Sequence, residues 1–241
     1  MPPFLLVHGS CHGAWCWREV LSNLHNRGVD ARAIDLPAHG ADPTPVSEVT
    51  LDLYAEAILA AIDEPAVLVG HSAGGYAITA AAERAPEKVA CLIHVCAYIP
   101  APGLSMIDRI RAQPVQPMQA AFRSAPDRLS YSVEPGGARA LFYHDCPPEA
   151  VAEALRSLCP EPILPQKTVL ALTERSASVP QHYILCSEDR AIPPQVQAAM
   201  VAGWPAGSVS KLATSHSPFL AAPAALADRL VAIAAQAPIG V

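Results

Sequence analysis

Short apolar runs alternate along this chain with longer stretches in which apolar residues recur at helical spacing. That alternation predicts a parallel sheet joined by crossover helices. Phe4 to His8 reads as the first strand, and Trp17, Val20, Leu21 and Leu24 then repeat along one helix face until Gly28. Val29 to Ile34 makes a second strand, closed by the loop sequence DLPAHG. Thr50 caps a helix whose stripe is Leu51, Tyr54, Ile58 and Ile62. AVLVG, residues 66–70, is a third strand running straight into an alanine-rich helix that Pro86 ends, and Val89 to Cys96 is a fourth. HYILC, residues 182–186, and SVSKLA, residues 208–213, add two more, and FLAAPAALADRLVAIAAQ reads as a closing helix.

Residues 97–180 break this pattern. They are rich in proline, carry short helical pieces such as PPEAVAEALRSL, and contain no run suited to a parallel strand. Long insertions between sheet strands are usually lids or binding segments. The expected organisation is a core formed by residues 1–96 and 181–241, with residues 97–180 as a cap subdomain. A second independent domain fits less well, because the segment is short and lacks its own strand–helix repeat.

Composition narrows the function. The 241 residues are 51% hydrophobic, enough for one large core. A formal charge of -6 with only 16 Lys and Arg leaves no basic face for nucleic acid or an anionic membrane. No apolar run reaches the roughly 18 residues of a membrane span. The seven cysteines are odd in number, and Cys91, Cys96 and Cys186 lie inside apolar runs, as free thiols packed as small hydrophobes do. With no charged leader before the first strand, the expected location is the cytoplasm, as a monomer or homodimer.

The sharpest chemical signal is VLVGHSAGGY. Gly70, Ser72 and Gly74 fit G-x-S-x-G between a strand and a helix, where a tight turn lifts the serine hydroxyl above the sheet. A serine hydroxyl needs a base, and the base needs an orienting acid. On such a fold the chain order is serine, acid, histidine. Among nine histidines, only His216 lies in a loop between the last strand and the last helix. Asp189 closes HYILCSED just past a strand's carboxyl end, with neighbouring Glu188 as its rival; Asp108, Asp127 and Asp145 lie in the insertion, where geometry is hard to fix. The oxyanion of an attacked ester needs preorganised donors, expected from the backbone N–H of Ala73 and from the loop after the first strand, near Ser10. The early cluster of Cys11, His12 and Cys16 has C-x4-C spacing without a second pair, which makes a poor metal site.

With these residues in view, the chain resembles the α/β-hydrolase superfamily, and within it the small esterases related to plant methylesterases, salicylate-binding esterases and hydroxynitrile lyases. The segments that carry the resemblance are VHGSCHGAWCW, VGHSAGGYAI, LFYHDCPPEA, YILCSEDRAIPP and SHSPFLAAP, in order across nearly the whole chain. It implies an α/β-hydrolase fold, a mostly parallel sheet of about six strands flanked by helices, with a helical cap inserted after the fourth strand. It also implies a Ser72–Asp189–His216 triad, an oxyanion hole from the N–H groups of Ser10 and Ala73, and an apolar pocket with Cys11, Tyr98 and Ser217 among its walls. Neither metal nor cofactor is called for, and the partner is a small-molecule ester, aromatic or otherwise hydrophobic. Cyanide-releasing members carry threonine where this chain has Gly9 and lysine where it has Ser217, so hydrolysis is favoured over lyase chemistry. A slow or non-catalytic ligand-binding relative, or an acyl-transfer, thioester or lactone enzyme, uses the same framework. In DLPAHG, Ala38 stands where many relatives have glycine.

Overall fold

The computed structural model of the chain describes residues 1–236. Nine strands run along them: β1 (Phe4–Val7), β2 (Ala31–Ile34), β3 (Ala66–His71), β4 (Val89–Val95), β5 (Phe122–Ser124), β6 (Ser130–Val133), β7 (Glu161–Pro162), β8 (Gln181–Cys186) and β9 (Val209–Leu212). Six of them form one parallel sheet in the order β2-β1-β3-β4-β8-β9. Alternate residues of each strand face opposite sides, and both sides are covered, which is why the central strands β1, β3 and β4 are buried almost throughout. Leu5, Val7, Leu68 and Leu92 pack with Tyr54, Ile58 and Ile78 of the helices Leu51–Ala60 and Gly74–Arg84. Phe4, Leu6, Val67, Val69, Cys91 and Ile93 pack with Trp17, Val20 and Leu24 and with Leu226, Leu230 and Ile233 of the helix Pro223–Ala234. The pattern of runs predicts this parallel sheet with crossover helices, and its arrangement is the one that the resemblance to α/β hydrolases implies.

Local signals set the helix limits. Thr50 Oγ1 accepts the Leu53 N–H at 3.0 Å at the start of Leu51–Ala60. Gly28, at φ +71°, closes the helix Arg18–His25 in the left-handed region. The closing pattern splits into Pro218–Ala221 and Pro223–Ala234, because Pro223 pushes Ala222 out of helical geometry.

The insertion differs from the helical cap implied by the resemblance. Residues 97–180 hold five short helices together with an antiparallel sheet in the order β5-β6-β7. These strands have three, four and two residues, too few for an alternating pattern to register. The β6–β7 pairing sets Glu161 directly beside Tyr131.

Candidate active site

The elbow forms where β3 ends at His71 and the next helix begins at Gly74. Ser72 lies between them at φ +52°, a left-handed conformation that costs an L-residue about 1–2 kcal/mol. Cys11 at φ +63° and Cys96 at φ +35° carry the same strain past the ends of β1 and β4, so three strand ends concentrate strain in one place. Gly74 is required by packing: a Cβ there would lie 2.7 Å from the His8 carbonyl oxygen.

The structure brings Ser72, His216 and Asp189 together. His216 Nε2 lies 3.0 Å from Ser72 Oγ, and Nδ1 lies 2.7 Å from Asp189 Oδ2. Asp189 also accepts the N–H groups of Ala191 at 2.7 Å and Ile192 at 2.9 Å, and Gln197 Nε2 at 3.0 Å. The other three partners of this buried carboxylate are all donors, so the hydrogen of the His216–Asp189 bond is assigned to Nδ1, and Nε2 presents its lone pair to the serine hydroxyl. Glu188 is exposed, and its carbonyl accepts His144 Nε2 at 2.9 Å.

The histidine is also held by its backbone. Its carbonyl accepts His71 Nε2 at 2.8 Å and the Cys96 thiol at 3.4 Å. Burial lowers the His71 pKa well below its ordinary value, which leaves that ring neutral with Nε2 as its donor. His71, Cys96 and His216 bring ligating atoms within 4.8 Å of one another. The first two are committed to the His216 carbonyl and the third to the serine and aspartate, an arrangement that serves positioning rather than metal binding.

A cavity of about 50 Å³ covers the serine, lined by Ser10, Ser72, Ala73, Tyr98 and His216 with apolar Met106, Ile110, Phe142 and Ile192. It shares Tyr98, Ile110, Met118, Phe122 and Tyr131 with an outer chamber of about 360 Å³. Among the described residues, no acceptor meets the backbone N–H of Ser10 or of Ala73. Burial lifts the Tyr98 pKa to about 12, and its hydroxyl accepts from Gln113 Nε2 at 3.3 Å.

Two expected pocket walls stand elsewhere. Cys11 packs in an apolar cluster with Val133, Ala138 and Tyr143 of the insertion, outside the cavity lining. Ser217 is fully buried, its hydroxyl has no partner among the described residues, and it also lies outside the lining. Sequence reading missed Gln197, fully buried on a short helix, which orients Asp189 and also accepts the Cys186 N–H through Oε1 at 3.1 Å. It missed Asp145 as well, whose Oδ2 accepts the Ser215 N–H at 2.7 Å. Nothing local in the sequence marks either residue. At Gly9 a Cβ would lie 2.7 Å from Ser72 Cβ and 2.8 Å from His71 Nδ1, so a threonine has no room there.

Residues 4–229 match the alpha/beta hydrolase family. The chain is 32% identical to esterase PIR7B of Oryza sativa subsp. japonica, over 96% of this chain and 95% of that protein. It is also 32% identical to methylesterase 1 of Arabidopsis thaliana, over 96% and 95% respectively. A pyrethroid hydrolase structure from Sphingobium faniae JZ-2 superposes with a TM-score of 0.86 at 26% identity, covering 98% of each chain. The chain belongs to the alpha/beta hydrolase family, in the methylesterase-related group of serine esterases. Among the described residues, no helix is long and apolar enough to cross a membrane.

Proposed function

We propose that Ser72 is the nucleophile of a carboxylic ester hydrolase acting on small, predominantly hydrophobic esters, with His216 as base and Asp189 as its orienting acid. The observation that carries this reading is the unbroken series Asp189–His216–Ser72, at 2.7 and 3.0 Å, ending under a cavity. Ser72 Oγ attacks the ester carbonyl carbon while His216 Nε2 takes its proton. The tetrahedral oxyanion accepts the free N–H groups of Ser10 and Ala73, donors of a kind worth about 3 kcal/mol each. His216 then protonates the departing alkoxide, leaving Ser72 acylated. Water, deprotonated by the same imidazole, releases the acid and restores the serine.

The cavity sizes and their apolar walls support an ester with a compact reacting end and a larger body of about one ring. Residues 97–180 act as a cap, supplying Met106, Ile110, Met118, Phe122 and Phe142 to that enclosure. Arg111, Arg128 and Lys167 line the outer chamber, no carboxylate does, and none of the three takes part in a salt bridge among the described residues. In a chain of net charge -6, that rim favours esters whose far end is anionic over neutral isosteres. All seven cysteines are free, which supports a reducing, cytoplasmic setting.

A panel of methyl, aryl and bulky esters, with and without a distal carboxylate, tests the reading. Hydrolysis of compact apolar esters is expected, with a salt-sensitive KM advantage for the anionic members. If no ester in the panel turns over while a panel member raises the thermal midpoint, the protein is a ligand-binding relative and the esterase reading fails.

A further inference from the structure

The turn 9–12 that carries Ser10 is bonded on almost every side. The Gly9 carbonyl accepts His8 Nδ1 at 2.9 Å and the His12 N–H at 3.2 Å. The Ser10 carbonyl accepts His12 Nδ1 at 2.8 Å, and His12 Nε2 faces the Tyr143 hydroxyl at 2.8 Å. Burial lowers the His12 pKa to about 4, so this ring is neutral: it donates through Nδ1 and accepts the tyrosine proton at Nε2. The remaining bonds come from one short part of the insertion. Gln166 Nε2 donates to Ser10 Oγ at 2.9 Å, the Cys159 N–H to the Cys11 carbonyl at 3.0 Å, and the Cys11 N–H to Glu161 Oε2 at 2.8 Å.

Glu161 is the hub of this set. It is 3% exposed, and the hydrogen-bond partners of its carboxylate are Cys11, His39 and Gln166. Oε1 accepts Gln166 Nε2 at 3.0 Å, and Oε2 accepts both the Cys11 N–H and His39 Nε2, the latter at 2.9 Å. The other nitrogen of His39 lies 3.1 Å from the Pro37 carbonyl. Both ring nitrogens therefore face oxygens that can only accept, the pattern of an imidazolium. Burial pulls the His39 pKa down, but the charge of Glu161 and the hydrogen bond to it outweigh burial and leave it raised. A charged pair is thus buried beneath the one segment whose Ser10 N–H remains unpaired. Cys11 holds its left-handed φ of +63° with this carboxylate on its N–H.

We propose that Glu161 is a positioning residue for ester hydrolysis: from the insertion, it holds the Ser10–Cys11 peptide and so fixes Ser10 and the preceding Gly9–Ser10 peptide, whose N–H points at the oxyanion. The inference rests on the esterase reading above. It makes the oxyanion hole a joint product of core and insertion, with the core supplying the donor and Glu161 its orientation.

Two variants of the full chain separate reach from charge. Glu161→Asp keeps the charge but withdraws the carboxylate from Cys11 N–H, whereas Glu161→Gln keeps a carbonyl acceptor at full reach and loses the charge. With a small p-nitrophenyl ester, Glu161→Asp is expected to lower kcat by about tenfold or more, with KM within about threefold. Glu161→Gln, which keeps an acceptor for the Cys11 N–H but turns its amide toward Gln166 Nε2, is expected to lose kcat by clearly less than Glu161→Asp. Both variants should be labelled at Ser72 by a fluorophosphonate to full stoichiometry, because the triad is untouched. Any other order overturns the assignment: both variants at wild-type kcat, equal losses, or a greater loss in Glu161→Gln. If the wild type neither hydrolyses the ester nor is labelled at Ser72, the esterase reading falls and the role of Glu161 with it.

Discussion

The Ser215 backbone N–H donates to Asp145 Oδ2 at 2.7 Å, one residue before His216. The same part of the insertion binds the neighbouring acid loop through His144, which donates to the Glu188 carbonyl at 2.9 Å. Both loops that carry the candidate base and its acid are thus tied to the segment above them. Asp145→Ala is expected to lower kcat about tenfold while Asp145→Asn, which keeps an acceptor oxygen, stays near the wild type. Steady-state kinetics on both variants checks this. Equal activities in the two variants would show that the tie is dispensable.

Gly9 is a tight point of the site, directly against the serine. A side chain there meets Ser72 Cβ at 2.7 Å, and both partners belong to rigid turns. Gly9→Ala should therefore displace the serine and lower kcat by about a hundredfold, a cost typical of a misplacement near 1 Å. The same crowding keeps the threonine of the cyanide-releasing relatives out of this position. Activity of Gly9→Ala near that of the wild type would mean the turn yields freely.

These contacts mark the boundary of what the sequence discloses. The six parallel strands, the elbow at Ser72 and the chain order of Ser72, Asp189 and His216 were legible, because each rests on local periodicity or on a turn with its own residue signature. Glu161, Gln166, Asp145 and Gln197 were not, since a buried polar side chain differs from a surface one only by its distant partner. Glu161 and Cys11, for instance, lie 150 positions apart. The strands β5 to β7 escaped for a different reason: runs of two to four residues carry no periodicity, and Pro162 argues locally against a strand.

Ala38 illustrates a local rule broken. It lies at φ +65° in the DLPAHG loop, where glycine adopts the same conformation without steric cost. Ala38→Gly relieves strain in the folded state but adds freedom to the unfolded chain. The net expectation is a gain of up to about 1 kcal/mol, read from chemical denaturation, with unchanged kcat. A loss of stability would indicate that the alanine methyl contributes packing that outweighs its strain.

His94 makes the fold sensitive to acid. It is the penultimate residue of β4, fully buried, and among the described residues neither ring nitrogen is hydrogen-bonded. Burial lowers its pKa from 6.5 to about 3. The folded protein keeps the ring neutral, while the unfolded chain takes up a proton below pH 6.5. The stability tied to the neutral ring is therefore complete above pH 6.5 and is lost as pH falls toward 3. Between pH 6.5 and about 4 the loss is on the order of 3 kcal/mol. Burial lowers the His12 pKa in the same direction. His94→Leu should flatten the dependence of the urea midpoint on pH across that window. A slope identical to the wild type would assign the acid sensitivity to other groups.

The most direct test of ester hydrolysis through Ser72 is the initial rate of p-nitrophenyl acetate hydrolysis by wild type and Ser72→Ala, each verified as folded by circular dichroism. Loss of the nucleophile is expected to lower kcat by at least about a thousandfold without changing the fold. A folded Ser72→Ala variant that hydrolyses the ester at the wild-type rate would contradict the mechanism outright.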